Sequence, residues 1–218
     1  PAGHRLRPQD LGGLVALGLT TVAVARRPRV AILSTGDEVV PPEAPPGPGQ
    51  VRDINSTTIA ALAQTAGAIP QPRGIIADDA AALRAAAESA LADSDMVVIT
   101  AGSSVSARDM TATIIAGLGA PGVLLHGVAT RPGKPTIVGA VAGKPVLGLP
   151  GNPVSALVQF DMFGVPAIYY LQGLAGEPPR NRVWARLAAN VPSASGREDY
   201  VPARLEAAAG GPLAVPIF

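Results

Sequence analysis

The sequence predicts an α/β fold with a parallel sheet at its centre, and three observations carry that expectation. Continuous apolar runs, of the kind buried on both faces of a parallel sheet, alternate with segments whose apolar residues recur at helical spacing. The runs end in glycine, small hydroxylated residues and carboxylates, the composition of a sheet edge that receives a ligand. After residue 173 the helical period gives way to short pieces punctuated by proline, serine and glycine, which read as a small β unit.

Each element follows from its own residues. Residues 1–26 hold one helical pattern, Pro8-Gln-Asp10 followed by Leu11, Leu14, Val15 and Leu17, closed by Gly18. Arg29-Val-Ala-Ile-Leu-Ser34 is the first buried strand, and it runs into Thr35-Gly36-Asp37-Glu38. Proline lacks an N–H and fixes φ, so Pro41-Pro-Glu-Ala-Pro-Pro-Gly-Pro-Gly49 is an exposed loop. Asn55 or Ser56 is expected to cap a helix built on Ile59, Leu62, Ala63 and Ala66 and stopped by Gly67. Residues 69–76 give a second strand, placed near an edge by its prolines. Asp78 is the expected N-cap of a helix through Leu83, Ala87, Ala90 and Leu91. Met96-Val-Val-Ile99 is the third strand, with a loop from Thr100 to Asp109 and a helix from Met110 to Gly117.

Three alternations of strand and helix imply right-handed crossovers into one sheet. Further strands are expected at 123–128, 136–138 and 145–149, then a long helix from Pro153, suited to the first helical position, to about Leu171. The chain therefore divides into a lead-in segment (1–26), an α/β domain (27–173) and a small β domain (174–218).

Composition narrows the function. A chain of 218 residues carries a net charge of +1 and only 3% aromatic residues, so neither a broad nucleic-acid surface nor a base-stacking platform is expected. With no cysteine, disulfides, iron–sulfur clusters and thiolate metal sites are excluded. We read no apolar run approaching the roughly 18 to 20 residues that span a bilayer and no signal peptide, so a cytoplasmic protein without a membrane partner is expected. The start at Pro1 and the strand-like end Leu213-Ala-Val-Pro-Ile-Phe218 point to a piece of something longer.

The candidate chemistry is anion binding. Between Asp109 and Asp161 there is no acidic residue, while Arg131, Lys134 and Lys144 fall inside that gap. Cations without opposing carboxylates, set on glycine-rich turns, are what an anionic ligand needs. The two lysines of the chain, Lys134 and Lys144, both stand in Gly-Lys-Pro, and lysine serves phosphate as a compact donor. The 100–109 loop, with Gly102 and Ser104, and Pro150-Gly151-Asn152 before the long helix are two candidate cradles of backbone N–H groups. Asp37, Glu38, Asp78 and Asp109 fall at strand ends, where oxygen ligands suit Mg²⁺ bridging a phosphate. Ser104 and Ser106 lack a histidine and aspartate partner order, which disfavours a serine hydrolase.

Taken in order, Ser34-Thr-Gly-Asp-Glu38, Gly49-Gln-Val-Arg-Asp-Ile-Asn-Ser56, Asp78-Asp79, the Gly102–Asp109 loop, His126-Gly-Val-Ala-Thr-Arg-Pro-Gly-Lys-Pro135 and Gly148-Leu-Pro-Gly-Asn-Pro-Val-Ser155 resemble the molybdopterin molybdenumtransferases. That family includes the C-terminal domain of gephyrin. The resemblance implies a three-layer α/β domain of the molybdenum-cofactor-biosynthesis (MogA-like) type followed by a partial small β-barrel. It implies Mg²⁺-dependent insertion of molybdate into adenylylated molybdopterin with release of AMP, in a homodimer that can be supplied by a molybdopterin adenylyltransferase. A non-catalytic pterin-binding or scaffold module is the alternative. Carried over by motif, Glu38, Asp78 and Asp109 are the metal carboxylates, and these three with Lys134 the catalytic set. Thr35, Gly36, Asp37, Gly102, Ser104, Arg131, Pro150, Gly151 and Asn152 line the substrate pocket. The chain departs from the family at Ala101 and Ser106, where glycine is usual, and at Arg131, where lysine is common. An elongated N-terminal domain, also expected of the family, is not in this chain.

Overall fold

The computed structural model describes residues 3–101, 105–174, 176, 178 and 180–217, with the backbone alone at 105–108. In chain order the elements are α1 (Pro8–Ala16), β1 (Arg29–Thr35), β2 (Val39–Val40), β3 (Val51–Arg52), α2 (Asn55–Thr65), β4 (Ile69–Ile76), α3 (Ala80–Asp93), β5 (Met96–Thr100) and α4 (Val105–Gly117). There follow β6 (Pro121–His126), β7 (Thr130–Arg131), β8 (Ile137–Val141), β9 (Lys144–Leu149), α5 (Pro153–Gln159), a π-helical turn (Phe160–Gly164) and α6 (Val165–Leu171). Short strands β10 (Arg186–Leu187), β11 (Glu198–Asp199), β12 (Ala203–Glu206) and β13 (Leu213–Pro216) end the chain.

The main sheet has the order β4-β1-β5-β9-β8-β6. The first four strands are mutually parallel, while β8 runs against both β9 and β6. The sheet is thus parallel-dominated and mixed. The chain leaves β1 for β4 on one side and returns to β5 on the other, which makes the carboxyl ends of β1 and β5 a topological switch point, the place where open α/β sheets bind ligands.

Alternation along each strand builds two cores. Val30, Ile32, Met96, Val98, Leu147 and Leu149 pack on one face with Ile59 and Ala63 of α2 and with Ala156, Phe160 and Ile168. Ala31, Leu33, Val97, Ile99 and Val146 face the other way, against Leu83, Ala87 and Ala90 of α3 and Ile114 and Ile115 of α4. Three layers result. Each fully buried leucine or isoleucine contributes about 1.5–3 kcal/mol, and Ile32, Leu33, Ile59, Leu83 and Ile99 are all at 0% exposure.

Several expectations shift on contact with the fold. The helix after β5 begins at Val105, so Asp109 lies one turn inside it instead of opening it. Nothing between residues 105 and 109 is glycine or proline, so the helix has no reason to wait. Asp79, and not Asp78, caps α3, accepting from the Ala82 N–H at 2.8 Å. For α2 the carboxylate of Asp53 accepts from the Ser56 N–H at 3.0 Å, taking the part expected of Asn55 or Ser56.

The helix Pro153–Leu171 is 19 residues long and apolar enough, by length and composition, to cross a membrane, contrary to the sequence reading. It lies against the sheet, with Phe160 and Ile168 fully buried there. In the C-terminal segment β10, β13 and β12 form a three-stranded sheet, while β11 leaves it to pair with β7. These pairings form a three-stranded sheet and do not by themselves close the barrel that the resemblance implied.

Candidate functional site

Three chain crossings at the switch point enclose a cavity of about 520 Å³. Ser34 and Thr35 enter from β1, Thr100 and Ala101 from β5, and Gly151, Asn152 and Pro153 from the β9–α5 junction. Glu38, Val39, Arg52, Asp53 and Asn55 form the wall contributed by the β2–β3 excursion and the start of α2. The floor is hydroxylated and buried: Ser34, Thr35 and Thr100 are at most 3% exposed, and the Thr100 hydroxyl donates to Ser34 Oγ at 3.2 Å.

Two polar arrangements define its chemistry. The Thr35 hydroxyl donates to Asp78 Oδ1 at 2.5 Å, holding that carboxylate at the mouth of β1, and the Asp78 N–H approaches Asp37 Oδ1 at 3.4 Å. Gly36, at φ +146, makes the turn between Thr35 and Asp37 in a conformation that favours glycine, and a side chain there would run into Glu38 at 2.8 Å. Asn55 is 8% exposed. Its Nδ2 donates to the Gly151 carbonyl at 2.9 Å, while its Oδ1 is buried with no partner among the described residues. A buried amide oxygen left unpaired costs about 1–3 kcal/mol and calls for a donor.

The cradle expected at Pro150-Gly151-Asn152 is smaller than the sequence implied. Pro153 has no N–H, and the Ser155 N–H is taken by Asn152 Oδ1 at 3.1 Å, because Asn152 is the helix cap. Pro150 is buried beneath the loop, outside the cavity lining.

The cationic turn stands apart. Arg131 and Lys134 are exposed on the loop after β7, whose base is closed by the Val128 N–H on the Lys134 carbonyl at 2.8 Å. The Arg131–Pro132 peptide is cis. Arg131 lines a second cavity of about 200 Å³ shared with Pro132, Asp199, Tyr200 and Ile217. In the β7–β11 pairing Arg131 stands opposite Asp199. Asp199 lies 3.3 Å from Arg197 Nε, yet both its oxygens are buried without a hydrogen bond among the described residues, so this ion pair is one of distance and not of bonding geometry. The neighbouring Tyr200 hydroxyl donates to Glu198 Oε2 at 2.7 Å, and that bond foremost pushes the phenol above its ordinary value.

A family model described as "Probable molybdopterin binding domain" matches residues 31–170. The chain belongs to this molybdopterin-binding domain family. It is 42% identical over 178 residues to a molybdopterin molybdenumtransferase of Nostoc sp., covering 80% of this chain and 41% of that protein. To the molybdopterin molybdenumtransferase 2 of Mycobacterium tuberculosis it is 36% identical over 212 residues, covering 95% of this chain and 52% of the relative. The crystal structure of a molybdopterin biosynthesis MoeA protein from Pyrococcus horikoshii superposes with a TM-score of 0.81 at 38% identity, over 100% of this chain and 52% of that one. The chain thus spans about half the length of the relatives it matches. The structure of molybdenum cofactor biosynthesis protein B, at 15% identity and a TM-score of 0.52, shares the fold.

Within this molybdopterin-binding domain, the fold gathers Thr35, Glu38, Gly151 and Asn152 on one cavity and ties Asp78 and Asp37 to its rim. It leaves Asp109 exposed on α4 and sets Arg131 on the other cavity. The expected ligands Gly102 and Ser104 lie outside the described residues. Among the described residues no three carboxylate or imidazole groups stand close enough to form a metal cage, so Glu38, Asp78 and Asp109 are not one cluster. Lys144, an equal of Lys134 in the sequence, donates to the Leu91 carbonyl and is structural. Sequence reasoning took Asn55 for a cap and passed over it as a cavity-lining group.

Proposed function

We propose that this domain binds adenylylated molybdopterin in the 520 Å³ cavity and takes part in inserting molybdate into it, with release of AMP. The observation that carries the reading is the unpartnered Asn55 Oδ1 on the wall of that cavity. A pterin ring presents amino and ring N–H donors, and such a donor would satisfy the amide oxygen while Arg52 faces the phosphate end. The volume falls within the range of ligand sites, and its lining is predominantly apolar with a few fixed polar groups.

Mg²⁺ fits as an ion that arrives with phosphate, because such ions need only one or two protein carboxylates and keep substrate oxygens as further ligands. Glu38 and Asp78 would hold it. The ion would supply charge neutralisation at the phosphates. This chain's own residues do the rest: Thr35 fixes the Asp78 carboxylate, Asn55 orients the ring, and Lys134 with Arg131 draws the molybdate oxyanion. Delivery of the adenylylated pterin by an adenylyltransferase partner and action as a homodimer belong to the same reading. The exposed Leu11 and Val15 on α1, a helix with no buried residue, and Leu17 at its C-cap support association.

Molybdate insertion by the full-length chain tests the proposal. Lys134→Ala is expected to raise the KM for molybdate by about tenfold, as loss of a charge-assisted contact does. Asp109→Ala is expected to lower turnover. Wild-type rates in both variants, together with no calorimetric heat for adenylylated molybdopterin, would remove the assignment.

A further inference from the structure

The turn that carries Arg131 and Lys134 is closed from three sides. Its base is a backbone pairing, with the Gly127 N–H on the Thr136 carbonyl and the Val128 N–H on the Lys134 carbonyl. Strand β11 flanks it through the Tyr200 N–H on the Arg131 carbonyl at 2.7 Å. From beneath, one side chain of α5 reaches up: Gln159, at 0% exposure, whose Nε2 donates to Thr130 Oγ1 at 3.0 Å and to the Pro132 carbonyl at 2.9 Å. These two acceptors are the neighbours of Arg131 on either side.

The same amide lies flat against Gly133. A Cβ added at Gly133, which has φ +107, would stand 2.2 Å from Gln159 Nε2, so glycine is required there both by backbone conformation and by this contact. The Gly133 carbonyl is in turn gripped by the Thr136 N–H at 3.0 Å and the Thr136 hydroxyl at 2.7 Å. Helix and turn are therefore keyed to each other at residues 130, 132 and 133.

Filling space does not account for an amide at this place. Gln159 Oε1 is buried with no partner among the described residues, which costs free energy that a leucine or methionine of similar volume would not incur. What the amide supplies, and an aliphatic chain cannot, is a fixed position for the Thr130 side chain and the Pro132 carbonyl, which belong to the two residues that flank Arg131. We propose that Gln159 is the positioning residue of the cationic turn, setting where Arg131 and Lys134 present charge to an incoming tetrahedral oxyanion. This rests on the reading that the turn receives molybdate. A displacement of the order of 1 Å in such a group is enough to cost up to about 10²-fold in rate.

The test is steady-state kinetics on the full-length chain, with molybdate and adenylylated molybdopterin varied separately, in Gln159→Met, Thr130→Val, Lys134→Ala and the Gln159→Met/Lys134→Ala double variant. Gln159→Met is expected to raise the KM for molybdate roughly tenfold while the KM for the pterin stays near wild type. Its effect is expected to shrink in the Lys134→Ala background, because the two changes act on one contact. If Lys134→Ala raises the molybdate KM and Gln159→Met does not, the positioning role is wrong and the functional reading stands. If Lys134→Ala itself leaves that KM unchanged, the functional reading of the turn fails and the proposal with it. A rise in both KM values, or additive effects in the double variant, overturns it in favour of a structural role. Should Gln159→Met fail to fold, Thr130→Val decides alone, since it removes one of the two anchors and a wild-type molybdate KM there refutes the idea.

Discussion

The bond between Thr35 and Asp78 offers a direct measure of how the fold holds its site. Thr35 is 1% exposed at the end of β1, and its hydroxyl is the donor to Asp78 Oδ1 at 2.5 Å. Thr35→Val exchanges the hydroxyl for a methyl group in nearly the same volume, so the perturbation is loss of one hydrogen bond to an ionised acceptor. Such bonds contribute about 1.5–3 kcal/mol net. Asp78 itself is exposed, so its freed carboxylate recovers water and no charge is stranded. The cost therefore falls at or below the lower end of that range, about 1–2 kcal/mol. For a chain of this length that is a fall of roughly 2–8 °C in the thermal midpoint. Scanning calorimetry at pH 7 on wild type, Thr35→Val and Thr35→Ser is the assay, with serine keeping the donor and losing about 0.8 kcal/mol of buried methyl. If valine is as stable as wild type, or serine is worse than valine, the hydroxyl does not hold Asp78 in solution. A carboxylate set loose from β1 would then no longer serve to explain how phosphate is met at this rim.

Two further outcomes follow from the framework of the sheet. The Asp95 carboxyl is held below its ordinary value, first by its hydrogen bonds from the Arg26 guanidinium and then by the Arg29 N–H at 2.8 Å. A carboxyl with a lowered folded-state pKa stabilises above the ordinary carboxylate range and ceases to as pH falls through that lowered value. Asp95→Asn is thus expected to be less stable than wild type in urea at pH 7, and the two curves to converge below about pH 4; a constant gap at both pH values would contradict it. At Gly139 in β8 an added Cβ would sit 2.8 Å from the Gly122 carbonyl oxygen of the neighbouring strand, which is backbone and cannot turn aside. Gly139→Ala is expected to cost about 1–3 kcal/mol in denaturant unfolding, and a neutral result would mean that β6 and β8 slide freely.

What the sequence determines by itself are the features that act through a residue's own backbone or its near neighbours. The apolar runs became β1, β4 and β5, the helical spacing of Ile59 with Ala63 and of Leu83 with Ala87 and Ala90 became buried faces, and the prolines of residues 69–76 went to an edge strand. That Thr35, Glu38, Gly151 and Asn152 share one cavity was legible because they lie at or just past the carboxyl ends of β1 and β9, and carboxyl ends of parallel strands meet at the switch point.

Tertiary structure alone decided how equals were told apart. Asp78 and Asp79 are neighbours of one chemistry, and only the Thr35 hydroxyl, 43 residues away, draws the first to the site and leaves the second to cap α3. Lys134 and Lys144 share a tripeptide, yet one finds the Leu91 carbonyl 53 residues back while the other stays exposed. Arg131 meets Asp199 through a strand pairing that no local pattern announces, and Gln159 meets Thr130 across 29 residues. A side chain's role is set by the groups that surround it once the chain has closed, and those distances are written in the packing and not in the order of residues.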